Sequence, residues 1–81
     1  MQQLRLKINE IDKEIATLFN ARFKLVKDIK AFKEKHHIPI TDLNREKALI
    51  SENSKYVDEE FKAYFLRFYE TLLSLSKESQ Q

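Results

Sequence analysis

The chain has no glycine, no cysteine and a single proline, Pro39, in 81 residues. Without glycine there is no glycine-rich loop to cradle a phosphate or a dinucleotide. Without cysteine there is no disulfide framework and no thiolate metal site. No apolar run is long enough to span a membrane and no signal-peptide core is present, so the cytoplasm is the expected location. Charge of one sign is also scarce: 15 basic residues face 13 acidic ones, for a net charge of +2. That balance does not by itself argue for nucleic acid. The two histidines, His36 and His37, are adjacent. Neighbours on a helix point about 100° apart, so they make no two-histidine metal face.

What the chain does have is an apolar repeat. From Leu4 the positions Leu4, Ile8, Ile11, Ile15, Leu18, Arg22, Leu25, Ile29 and Phe32 alternate steps of four and three. This is the seam of one long helix. Arg22 stands where Leu or Ile belongs. A guanidinium does not shed its proton, so burying it is costly unless an anion meets it. That anion is either a protein carboxylate or a ligand. The plainer alternative is a lone polar residue that fixes register or oligomeric state.

Composition and spacing predict an all-α single domain, residues 1–81, with three helices. The first runs from about Gln3 to His36, until Pro39 removes a donor and pushes Ile38 out of the helical region. Thr41 and Asp42 offer cap oxygens for a short second helix, about Asp42 to Glu52. The segment Asn53 to Tyr56 reads as a turn. Asp58 is the expected cap of a third helix, with Glu59 and Glu60 in its first turn. The apolar stripe of that helix is Phe61, Phe65, Phe68, Leu72 and Leu75, with Tyr64, Tyr69 and Leu73 alongside.

The first helix is too long for its own domain. At 1.5 Å per residue it spans about 50 Å, against a diameter of about 30 Å for a compact globule of this length. A projecting apolar seam needs cover, and a second copy of the chain is the simplest cover. An intertwined homodimer is therefore expected, with a monomeric hairpin as the alternative.

Polar residues line the same faces. Arg5 and Lys33 share a flanking stripe but lie about 42 Å apart, too far for one small ligand within one chain. Arg22 and Lys33 are about 16 Å apart along the axis and can converge on one pocket. Asp42, Arg45, Glu46 and Leu49 form one face of the second helix by their i, i+3, i+4, i+7 spacing. Ser76 and Gln80 are i, i+4 neighbours on the third. Taken singly, each reads as solvated surface, a cap arrangement or a fraying C-terminus.

Taken in order, these residues resemble the all-helical chorismate mutase family, in a short, stand-alone form. The order is Leu4-Arg5-x-x-Ile8-x-x-Ile11-Asp12, Arg22, Lys33, Asp42-x-x-Arg45-Glu46 and Ser76-x-x-x-Gln80. The resemblance covers nearly the whole chain, with no departure at these positions. It implies an intertwined dimer with two active sites that convert chorismate to prephenate, on the route to phenylalanine and tyrosine, without metal or cofactor. By position, Arg5 would reach into the partner's site and bind one substrate carboxylate, and Arg22 the other. Lys33 and Gln80 would donate to the ether oxygen of the breaking bond. Glu46 would accept from the ring hydroxyl. Arg45, Asp42 and Ser76 would complete the contacts. Gln80, one residue from the end, is expected on a fraying turn.

The competing readings are isochorismate pyruvate-lyase on the same scaffold and a non-catalytic helical interaction module. A basic nucleic-acid binder fits less well, because cations and anions are mixed along the chain. Neither nucleic acid nor membrane is an expected partner.

Overall fold

A computed structural model describes all residues, Met1–Gln81. Three helices follow in order with no strand: α1 (Gln2–His36), α2 (Leu43–Ser54) and α3 (Lys62–Ser79), the last entered through a 3₁₀ turn, Glu59–Phe61. The protomer is all-α and elongated, 52 × 25 × 16 Å, with a radius of gyration of 15.4 Å. A compact chain of this length has a radius of about 12 Å. The excess comes from α1, whose 35 residues form a rod that the other two helices cover only in part.

The end of α1 shows how a chain without glycine stops a helix. His37 takes the left-handed conformation, with φ 55°. The Ile38 amide then donates to the Lys33 carbonyl at 2.9 Å, and the His37 amide to the Glu34 carbonyl at 3.4 Å. This is the Schellman arrangement, which glycine usually supplies. Here a β-carbon occupies the strained position, and Pro39 two residues on prevents the helix from resuming.

Helix α2 starts at Asp42, whose Oδ1 accepts from the Arg45 amide at 3.1 Å. Of the two expected cap oxygens the chain uses this one. The helix then runs two residues past its expected end. Asn53 donates from Nδ2 to the Leu49 carbonyl at 2.9 Å and to the Tyr69 hydroxyl at 3.1 Å. A partner on α3 thus holds Asn53 in the helix, and the predicted Asn53–Tyr56 turn shrinks to the residues after Ser54. Asp58 corrects a second expectation. Its side chain makes no cap bond. Its carbonyl accepts from the Phe61 amide at 2.9 Å and closes the 3₁₀ turn.

The interior of the protomer is small. Val26 on α1 and Tyr69 and Leu73 on α3 are its buried apolar residues, joined by the polar Ser76 and Gln80. The row Tyr69, Leu73, Ser76, Gln80 follows i, i+4, i+7, i+11 spacing and is the inward face of α3. The stronger apolar stripe is covered only in part: Phe61, Phe68 and Leu75 are exposed, and Phe65 and Leu72 are half-buried. On α1 every residue before Arg22 is exposed, including the seam residues Leu4, Ile8, Ile11, Ile15 and Leu18. No helix is long and apolar enough to cross a membrane.

Candidate functional site

Three helix faces and one connecting segment enclose a cavity of about 790 Å³, within the usual range for a small-molecule site. Helix α1 gives Arg22, Val26, Ile29 and Lys33, one stripe at i, i+4, i+7, i+11. Helix α2 gives Arg45, Glu46 and Leu49, with Asp42 at its cap. Helix α3 gives Leu73, Ser76, Lys77 and Gln80. The spacing that put each set on one face in the sequence is what aims the three faces at one space. Val26, Leu49 and Leu73 supply apolar wall between the charged groups.

Of the eight residues singled out in the sequence, the fold brings seven to this cavity: Arg22, Lys33, Asp42, Arg45, Glu46, Ser76 and Gln80. Arg5 is absent from it. It sits on the exposed arm, about 26 Å further along α1 than Arg22. No bend in the helix brings it back.

The hydrogen bonds inside the cavity show what is held and what is free. Arg22 donates from a guanidinium nitrogen to Ser76 Oγ, and Ser76 Oγ in turn donates to the Leu72 carbonyl at 2.9 Å. Lys33 Nζ donates to the Ile40 carbonyl at 2.9 Å, which ties the connecting segment to α1. An ammonium has three donors, so two remain. Gln80 lies in the turn after α3, as expected, but its side chain is buried. Its Nε2 donates to the Ser76 carbonyl at 3.2 Å, and its Oε1 has no partner. A buried amide bonded this weakly gains from any acceptor or donor that enters the cavity.

Charge decides what can enter. Arg22, Lys33, Arg45 and Lys77 line the cavity as cations, Asp42 and Glu46 as anions, which leaves a formal excess of two positive charges. Arg22, Lys33 and Arg45 form no ion pair with any carboxylate of the chain. The Asp42 carboxylate is engaged in its cap, and Glu46 pairs with Lys77 at 3.0 Å. The protein carboxylate that would answer the Arg22 anomaly is therefore missing from the fold.

Lys77 escaped the sequence reading. It adjoins Ser76 and lies three residues before Gln80, outside the i, i+4 relation that links those two. No three His, Asp or Glu side chains converge anywhere on a common point.

Fold and site together define an all-helical protein with a net-cationic, partly apolar cavity suited to a small dianion. The sequence narrows that class. Residues 4–81 match the family described as chorismate mutase type II, and the chain belongs to that family. It is thus an enzyme of the isomerase class, converting chorismate to prephenate. No solved structure gives a significant match to the chain.

Proposed function

We propose that the cavity is the chorismate site, and that it is completed by Arg5 from a second copy of the chain. The observation that carries this reading is the unbalanced charge. Two excess positive charges, with three cations lacking any carboxylate partner, suit a substrate with two carboxylates.

Arg22 binds one carboxylate, held at a fixed angle by Ser76. The partner's Arg5 binds the other, with Arg45 beside it. Lys33 and Gln80 donate to the ether oxygen. In the rearrangement the ether C–O bond breaks while a C–C bond forms to the ring, and negative charge grows on that oxygen. Fixed donors aimed there stabilise the transition state more than the ground state. Lys33, being charged, contributes more than Gln80. Glu46 accepts from the ring hydroxyl. Asp42 supports this wall through its cap, with Oδ2 left for a polar contact. The walls hold the compact, near-attack conformer, which is the other source of rate in a unimolecular reaction. The cytoplasm and a single domain over residues 1–81 remain the settings in which this reading is framed.

The dimer rests on area. A monomer of 9.7 kDa exposes about 5,100 Å² by the usual scaling. This protomer exposes 7188 Å². An excess of about 2,000 Å² per protomer is what a large obligate homodimer interface removes. Covering the α1 seam antiparallel would carry Arg5 of one copy toward the cavity of the other.

The test is turnover of chorismate by the purified protein, with the product identified as prephenate. Rapid turnover, reduced about a thousandfold in Arg22→Ala and Lys33→Ala variants that remain folded, is the expected result. No turnover above the spontaneous rate would overturn the assignment. Pyruvate release from isochorismate without turnover of chorismate would move the protein to the lyase reaction.

A further inference from the structure

The ion pair between Lys77 and Glu46 differs from the other two in the protein. Lys55–Glu52 and Lys62–Glu59 each join residues three apart on one exposed stretch of chain. Lys77–Glu46 joins α3 to α2 across the cavity wall, at 3.0 Å, with side-chain exposures of only 32% and 19%. It is the one ion pair that fixes the position of two helices relative to each other. One of its members is the residue assigned above to the substrate's ring hydroxyl.

We infer that Lys77 is a positioning residue that sets recognition of the ring hydroxyl through Glu46. The inference rests on the proposed function of the cavity. A glutamate side chain has three rotatable bonds and, unheld, samples several rotamers. Lys77 engages Oε1 and leaves Oε2 as a free acceptor at a fixed place. The Lys77 ammonium is itself a donor to Oε1, and a carboxylate held in such a pair accepts without donating. Glu46 is thereby an acceptor for the hydroxyl rather than a proton donor to the ether oxygen. The ion pair makes Glu46 a specificity element: it rewards a substrate that carries the hydroxyl and does nothing for one that lacks it. Lys77 itself touches no substrate atom in this account.

The experiment compares kcat/KM for chorismate with that for an analogue in which the ring hydroxyl is replaced by hydrogen. The analogue keeps both carboxylates and the rearranging bonds. The proteins are the wild type, Lys77→Met, Lys77→Arg, Glu46→Gln and the Lys77→Met/Glu46→Gln double variant, each with its melting temperature measured. The expected result is a loss of about tenfold on chorismate for Lys77→Met and less than about twofold on the analogue, with Lys77→Arg restoring most of it. In the Glu46→Gln background, Lys77→Met should add less than about twofold. Equal losses on the two substrates overturn the inference, because a folding defect or a direct contact of Lys77 with a carboxylate would produce them. So does a full additional loss in the Glu46→Gln background. A wild type that turns over neither substrate overturns the proposed function as well, whereas an active wild type with a neutral Lys77→Met overturns only this inference.

Discussion

The two halves of α1 carry the same heptad pattern, yet only the second lines the cavity and brings a residue, Val26, into the interior. From Arg22 onward the line Arg22, Val26, Ile29, Lys33 faces the cavity and Val26 is buried, while the seam residues Leu25 and Phe32 stay exposed. From Gln2 to Ala21 every residue is exposed, although the seam there is wholly aliphatic. The more apolar half of the helix is the one with no partner inside the protomer. An isolated helical arm of this length is marginal in water, since tertiary contact supplies most helical stability. One rod thus has two surroundings: its C-terminal half lines the cavity, and its N-terminal half leaves an aliphatic seam exposed.

The largest effect should come from breaking the arm. Ile11→Glu combined with Ile15→Glu places two charges on a seam that, in the protomer, touches nothing; both residues are about half exposed there. If the arm served the protomer alone, the change would be close to neutral. With a second chain covering the seam, sedimentation should show the mass halved, and turnover should fall about a hundredfold or more because the partner's Arg5 is lost. A variant that keeps both its mass and its activity would dissolve the contrast between the halves.

A mixing experiment sharpens the same contrast. Arg5→Ala and Arg22→Ala each damage every site in their own homodimers. Unfolded together and refolded at equal concentration, they form hybrid dimers in which one site has both arginines and the other has neither. About a quarter of wild-type activity should return on statistical grounds. Failure of any activity to return, with hybrids demonstrated by mass, would place Arg5 in the site of its own chain or in none.

The features legible in the sequence were those set by local chemistry and period. The length of α1, its stop before Pro39 and the Arg22 anomaly follow from spacing and sterics along one helix. The three site faces were legible for the same reason, because i, i+3, i+4 and i+7 relations survive folding unchanged. What depended on the rotation of one helix against another was not legible. The stripe Phe65, Phe68, Leu72, Leu75 is the most apolar on α3, yet none of its members is fully buried and the row through Tyr69, Leu73 and Ser76 faces inward. Residues 53 and 54 look like turn formers, but a hydroxyl on Tyr69 and a backbone carbonyl keep Asn53 helical. The Lys77–Glu46 pair needs two helices in place before it exists.

Asp42 is where the local and the tertiary accounts of one residue meet, and its substitution should give the smallest of these effects. Oδ1 caps α2 through the Arg45 amide at 3.1 Å, and the cap sits at the edge of the cavity. Asp42→Ala removes the cap, which costs about 1 kcal/mol and lowers the melting temperature by about 4–8 °C in a domain of this size. Asp42→Ser keeps a cap oxygen and removes the carboxylate, so the melting temperature should return to within a degree or two, or about 0.3 kcal/mol. Activity then separates the two roles. If capping is the main contribution, turnover in Asp42→Ser should stay within about threefold of wild type, the scale of a surface polar change. The reason to expect so little is electrostatic: a carboxylate beside a dianionic ligand gains from a hydroxyl contact but loses to like-charge repulsion, and the two nearly offset. A loss well beyond tenfold at unchanged stability would instead make Oδ2 a principal contact, and would extend the hydroxyl-reading wall from Glu46 down to the start of the helix.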